Sequence, residues 1–305
     1  MYKVIISAPY MQKEIDRFEQ ELKDKNIDIF LPEVKERLEE DDLLKIIEDI
    51  HGIICGDDRI TEKVIDKAKK LKVIVKWGTG IDSINKKYAE SRGIKVFNTP
   101  NAFTEPVSDT VIGFMLCFAR NILVSDKMMK QGKWEKIKGF TLQEKTLGII
   151  GVGNIGRRVA EKAKVFGMKI IGNDIRKIED PPCKMVSLNE LLKQSDFVSI
   201  NCDLNETSHH LINMEKLKLM KKDAIIINTA RGPIIKEEDL ILALKNKIIA
   251  GAGLDVFEFE PLPEDSPLRK MNNVILSPHN SNSSSFFWNR VHRNSLNMLY
   301  KGLGL

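Results

Sequence analysis

Lys145-Thr-Leu-Gly-Ile-Ile-Gly-Val-Gly-Asn-Ile-Gly-Arg157 is the stretch that decides how the chain is read. Its apolar run, Leu147 to Ile150, has the length and character of a buried strand, and it opens directly into Gly151-x-Gly153-x-x-Gly156. A helical pattern follows, with Ile155, Val159, Ala160, Ala163 and Phe166 at helix spacing. Strand, glycine turn and helix in that order are the context a dinucleotide fingerprint requires. Gly151 permits the tight turn, Gly153 lets the backbone approach a pyrophosphate, and Gly156 lets helix pack on strand. Asn154 and Ile155 open the helix, whose unpaired N–H groups and partial positive charge suit phosphates. A second strand, Met168 to Gly172, ends in Asn173-Asp174, at about the 20-residue distance where a carboxylate accepts ribose hydroxyls. That carboxylate would repel a phosphate on the ribose, so NAD is expected rather than NADP.

Outward from the fingerprint, short apolar strands alternate with charged helices. Downstream, strands fall near 147–150, 169–172, 197–201, 224–228, 250–254 and 274–276, six in all, as two mononucleotide-binding halves require. Upstream, Lys3–Ser7, Ile27–Leu31, Gly52–Cys55, Lys72–Val75 and Ile94–Phe97 read as strands, with helices near 11–25, 41–49, 61–70 and 84–92. Such alternation means parallel sheets covered by helices. The fold class expected is α/β, with two doubly wound parallel-sheet domains. Residues 100–280 form a Rossmann domain for NAD; residues 1–99 and 281–305 form a flavodoxin-like, discontinuous substrate domain, because the last helix (Phe286 to Tyr300) is too short to stand alone. Asn98-Thr-Pro100 and the Ser/Asn-rich stretch Asn280 to Ser285 mark the crossings, expected to act as hinges. One long apolar helix is expected from about Thr104 to Met129.

Composition narrows the class. The 305 residues carry a net charge of +5 with acids and bases interleaved, and no long basic tract, which argues against nucleic acid. Cys55, Cys117, Cys183 and Cys202 are scattered without a CxxC pair, so a reduced, cytoplasmic setting is expected. The longest apolar segment, Val111 to Ala119, is less than half the roughly 20 residues a bilayer span needs, so no membrane is expected. His209-His210 has no acid or cysteine at ligand spacing, and no metal site is expected.

Three strand ends in the second half carry polar residues foreign to a core: Asn228-Thr-Ala-Arg231-Gly232, Gly253-Leu-Asp255-Val-Phe-Glu258-Phe-Glu260-Pro261 and Ser277-Pro-His279. Ligands of open α/β sheets bind beyond the carboxyl ends of strands. Together with Gly78-Thr-Gly80-Ile-Asp82, Asn98-Thr-Pro100 and the fingerprint, these motifs resemble the D-isomer-specific 2-hydroxyacid dehydrogenases over nearly the whole chain, in order and spacing. The resemblance is greatest to D-3-phosphoglycerate dehydrogenases. It implies a catalytic trio of Arg231, Glu260 and His279. Arginine's planar fork suits a 2-oxo acid, histidine suits proton transfer near neutrality, and a paired carboxylate orients it and favours imidazolium. It also implies that Thr229, Ala230, Asp255, Arg231 and His279 line the nicotinamide and Cys202 the adenine side. Trp77, Gly78, Thr79 and Gly80 would meet the substrate with Arg231 and His279, and Trp77 would narrow the pocket.

The implied activity is NAD-dependent hydride transfer on a 2-hydroxy or 2-oxo acid, with 3-phosphoglycerate first and thus a place in serine biosynthesis. Glyoxylate, hydroxypyruvate and D-lactate are the alternatives. Lys76 could face a substrate phosphate, or be a solvent-exposed strand-end lysine. Glu260, where formate dehydrogenases of this superfamily have glutamine, argues against that activity. The chain ends at Leu305 without the regulatory domain of some phosphoglycerate dehydrogenases, so feedback through such a domain is not expected. A homodimer through the NAD-binding domains is implied, with Trp134 either a dimer contact or a local core anchor. An interaction protein that senses NAD(H), like the C-terminal-binding corepressors, is the competing class.

Overall fold

The computed structural model describes residues 1–305, and they fall into two compact units, Met1–Phe103 with Ser283–Leu305, and Thr104–Asn282. In the first, β1 (Tyr2–Ile6), β2 (Ile27–Phe30), β3 (Gly52–Cys55), β4 (Val73–Lys76) and β5 (Lys95–Phe97) form a parallel sheet in the order β2-β1-β3-β4-β5. This is the flavodoxin-like order. The inner strands β3 and β4 are buried along their whole length because both faces are covered. Ile5, Ile53 and Ile74 pack with Leu43, Ile47, Val64 and Ile65. Neighbouring strand residues point to the opposite face, where the final helix Ser285–Leu303 lies on β3 and β4. There Leu299 sits over Gly52, and Val73 fills the space beside Gly302. Arg293 adds both oxygens of Glu21, at 2.8 and 2.7 Å.

The second unit holds β6 (Thr146–Ile150), β7 (Lys169–Asn173), β8 (Lys184–Met185), β9 (Phe197–Ile200), β10 (Ile225–Asn228), β11 (Gly251–Leu254) and β12 (Val274–Leu276). They pair in parallel in the order β12-β11-β10-β9-β6-β7-β8. Seven strands, not six, make this Rossmann sheet: β8, two residues long, lacks an apolar run of its own. Alternation again sorts the core. Leu147, Ile149, Phe197, Ile225 and Ile227 face Val111, Met115, Val159 and Ala163, while Val198, Ile200 and Ile226 face Leu191, Leu192, Leu240 and Leu244.

The single long helix expected from Thr104 is two, Thr104–Arg120 and Ile122–Lys130, bent by 60°. Asn121 breaks it with φ of +52°, a left-handed conformation asparagine tolerates. No single helix is long and apolar enough to cross a membrane. The four cysteines are free thiols.

Leu299→Ala is expected to cost about 2–5 kcal/mol, read as a lower urea midpoint in tryptophan fluorescence, since Trp77 and Trp288 belong to the same unit. An unchanged midpoint would show that the final helix is not part of this core.

Candidate active site

The order of the second sheet reverses at β6, which pairs with β7 on one side and β9 on the other. The fingerprint turn lies there. Gly151 has φ of +86°, and a Cβ on it would come within 2.6 Å of the Cys202 nitrogen, so only glycine lets this turn close against the end of β9. Asp174 lies behind the turn: Oδ2 accepts the Val152 N–H (2.8 Å) and Oδ1 that of Arg176 (2.9 Å). Burial pushes its pKa up, but the N–H groups of Arg176 and Val152 and the Arg176 guanidinium outweigh this, and the carboxyl stays below its ordinary value. Arg176, whose Nε is 3.3 Å from Oδ1, was not singled out from the sequence. Burial pushes the Cys202 thiol up to about 11, which makes it a wall and not a nucleophile.

Two buried polar atoms beyond the neighbouring strands, Thr229 Oγ1 and Asn201 Oδ1, have no partner within the protein. Buried polar groups are normally bonded. With the glycine turn, they fit a site built for a polar ligand such as a dinucleotide.

Beyond β10, the Asn228 side chain shapes the Thr229-Ala-Arg231 turn. Its Oδ1 accepts the Ala230 N–H (3.0 Å) and its Nδ2 donates to the Arg231 carbonyl (2.9 Å). Arg231 Nη1 donates to the Ala230 carbonyl at 2.8 Å. The next residue touches the following strand end: a Cβ on Gly232 would lie 1.9 Å from the Phe257 carbonyl carbon. The arginine turn is therefore stacked on the segment that carries Glu260.

Glu260 and His279 meet. Oε2 of Glu260 lies 2.9 Å from His279 Nδ1, and Oε1 accepts the Phe257 N–H at 2.9 Å. A carboxylate at Nδ1 calls for the proton on that nitrogen. His279 itself is left-handed, with φ of +50°. That conformation persists only where its surroundings over-determine it. Its N–H donates to the carbonyls of Asp255 (2.7 Å) and Ser277 (3.1 Å). The Asp255 carboxylate, fully buried, takes the N–H groups of Asn280 (2.8 Å) and Ser281 (3.0 Å) and the Ser281 hydroxyl. Asp255, expected at the carboxamide, thus has the holding of the His279 loop as its structural duty, with one lone pair left on Oδ1.

In the first unit, the Asn98-Thr-Pro100 motif clasps the glycine loop. Thr99 Oγ1 accepts the Gly78 N–H (3.1 Å), Thr79 Oγ1 donates to the Thr99 carbonyl (3.2 Å), and Asn98 Nδ2 donates to the Thr79 carbonyl (2.6 Å). The Gly78 amide, expected on substrate, is therefore already taken, while exposed Thr79 and half-buried Gly80 remain on the outer side of the loop. Trp77, expected to narrow the pocket, is buried, with its indole N–H donated to His292 Nδ1 at 2.9 Å and its rings against Phe103 and Tyr10. Lys76 is neither exposed nor a free phosphate ligand: it is 3% exposed, and Nζ donates to the Gly56 carbonyl (2.6 Å) and Asp57 Oδ1 (2.7 Å).

Two further readings change. Trp134 is 81% exposed, which removes it as a core anchor. His210, which has no acid at ligand spacing in the sequence, meets the distant Glu258 through Nε2, and its ring stacks on His209.

Residues 112–281 match the family described as D-isomer specific 2-hydroxyacid dehydrogenase, NAD binding domain. The chain is 42% identical over 277 residues to a hydroxypyruvate reductase of Thermotoga maritima, covering 88% of this chain and 90% of that one. It is 40% identical over 292 residues to a D-3-phosphoglycerate dehydrogenase of Methanocaldococcus jannaschii, covering 93% of this chain and 54% of the other. A D-lactate dehydrogenase from Aquifex aeolicus, solved with NAD and lactic acid, superimposes with a TM-score of 0.89 at 27% identity, covering 99% and 95% of the two chains.

Asp255→Ala strips the acceptor from three donors. Stability is expected to fall by about 2–4 kcal/mol in urea unfolding, and the His279 loop should become open to amide exchange. Retained protection at Asn280 and Ser281 would contradict the clamp.

Proposed function

The chain belongs to the D-isomer specific 2-hydroxyacid dehydrogenase family, and from that premise we propose that it reduces a small unphosphorylated 2-oxo acid, hydroxypyruvate or glyoxylate, with NADH. It is an NAD-dependent oxidoreductase. NAD, when bound, supplies or accepts the hydride; the chain's own residues handle charge and protons. Gly151, Gly153, Asn154, Ile155 and Gly156 would hold its pyrophosphate, Asp174 its ribose, Cys202 the adenine side, and Thr229, Ala230 and Asp255 the nicotinamide side.

The observation that carries the reaction is the Glu260–His279 pair at 2.9 Å. With Nδ1 tied to a carboxylate, Nε2 gives its proton to the carbonyl oxygen as hydride arrives at the carbon, and takes it back in oxidation. Arg231 orients the acid by its carboxylate or carbonyl oxygen.

The choice of substrate rests on Lys76. Its pairing with the Gly56 carbonyl and the Asp57 carboxylate supports an acid without a phosphate, in keeping with the hydroxypyruvate reductase among the relatives, so 3-phosphoglycerate ranks second in this reading.

NADH oxidation with hydroxypyruvate, glyoxylate, pyruvate and phosphohydroxypyruvate tests this. kcat/KM for hydroxypyruvate or glyoxylate is expected to exceed that for phosphohydroxypyruvate by about tenfold or more, and His279→Ala to lower kcat by about 10²–10⁴. The opposite substrate order would overturn the substrate reading; a His279→Ala enzyme with undiminished kcat would overturn the mechanism.

We also propose a homodimer through the NAD-binding unit. Ile122, Leu123, Val124, Met129, Trp134 and Ile137 are all 40–81% exposed along the helix Ile122–Lys130 and the loop after it, an apolar run a monomer would leave wet. Trp134→Asp is expected to shift sedimentation from dimer toward monomer; a wild-type monomer would refute the assembly.

A further inference from the structure

Two histidine–carboxylate pairs hang from one four-residue segment, Phe257-Glu258-Phe259-Glu260, and the reaction described above uses only one of them. Glu260 faces His279. Glu258 faces Nε2 of His210, which comes from the connection between β9 and β10, 48 residues away in sequence. The His210 side of that contact is itself tied down. Its backbone is left-handed, with φ of +52°, and its N–H donates to the Pro233 carbonyl at 2.8 Å, just past the Arg231 turn. Its ring stacks on His209 with centroids 3.9 Å apart. On the Glu258 side, the backbone N–H donates to Glu237 Oε2 at 3.2 Å.

Three carboxylates therefore share this corner. Glu237 is pushed above the ordinary carboxylate range by burial, against the Glu258 N–H that lowers it, and by the charges of Glu258 and Glu260. Also here are the His209 ring and, at the start of the helix Glu237–Lys245, Lys236, already bound to Glu238 (2.6 Å) and Asp239 (3.7 Å). Like charges in one corner repel. His210 is the group seated on Glu258, as His279 is on Glu260.

We propose that His210 is a positioning residue for the hydride-transfer site: by holding Glu258 it fixes the segment that carries Glu260, and through Glu260 the imidazole of His279. The inference rests on the assignment of His279 as acid and base. Without the His210 imidazole, Glu258 becomes a stranded negative charge beside Glu237 and Glu260, and the segment relieves the repulsion by moving. Glu260 then leaves its place at Nδ1. Displacement of this size at a reacting group costs rate far more than it costs binding.

His210→Asn is the clean variant, because asparagine accepts the left-handed backbone without strain. In steady-state reduction, kcat is expected to fall about tenfold or more while KM for NADH stays unchanged. The alkaline limb of the pH profile of kcat/KM is expected to move to lower pH, since a carboxylate at Nδ1 favours the protonated imidazole that reduction needs. Adding Glu258→Gln removes the stranded charge and should restore much of the lost kcat. A His210→Asn enzyme with lower thermal stability but the same kcat and pH limb would overturn the proposal, as would a double variant no better than the single one. A readout free of turnover separates this from the functional reading. The ¹H–¹⁵N imidazole resonances of His279, recorded without substrate, shift in His210→Asn if the relay exists, and stand unmoved if it does not, whatever the substrate panel returns.

Discussion

Asp255, buried at the end of β11, holds the loop of His279 by accepting the N–H groups of Asn280 and Ser281, and the rest of the site is arranged around that grip. Parallel pairing makes the grip possible. β10 and β11 run in register from Ile225 opposite Gly251 to Asn228 opposite Leu254, and the Asp255 N–H continues the ladder to the Asn228 carbonyl at 3.0 Å. One strand end therefore shapes the Arg231 turn with the Asn228 side chain, and the next anchors the histidine loop with the Asp255 side chain. The left-handed backbone of His279 costs on the order of 1–3 kcal/mol, and the bonds around Asp255 are what offset it.

Four carboxylates near these strand ends differ in environment and so in task. Asp174 receives two backbone N–H groups and stays ionised, which suits a ribose hydroxyl acceptor. Asp255 is enclosed and structural. Glu260 is only partly buried and divides its oxygens, one for its own turn and one for a histidine. Glu237 is pushed above the ordinary carboxylate range by burial and by the charges of Glu258 and Glu260. The residue type is shared; solvent access and the count of N–H donors decide the role.

The architecture was legible because each strand is a short apolar run bounded by charged helices, and right-handed crossovers leave few ways to connect such runs. The fingerprint named the switch point outright. What stayed hidden lacked a local pattern. β8 pairs through Ile171 opposite Lys184 and carries no hydrophobic alternation. The break at Asn121 has neither glycine nor proline to announce it. Asp255 and Glu260 were picked from their strand ends, but not the loop clamp that Asp255 forms, because its partners Asn280 and Ser281 lie on another strand end. His210 and Glu258 are likewise joined only by the folding of two separate connections, so no spacing rule could pair them.

Lys76 shows why a charged residue is the hardest kind to place from sequence. Desolvating an ammonium is so costly that a lysine at a strand end reads either as solvated or as waiting for an anionic ligand. A third solution exists when the fold supplies the counter-charge itself. At the carboxyl ends of β3 and β4, the turn Gly56-Asp57-Asp58 places a carbonyl and a carboxylate against Nζ, and burial is tolerated because the charge is matched within the protein. Turning Nζ toward a phosphate would break that match, beside Asp58, which burial already pushes above the usual carboxylate range. Losing one partner of a buried pair is far more costly than never having formed it. A phosphate brought to this edge would thus meet an acidic turn whose lysine already has a carbonyl and a carboxylate against it.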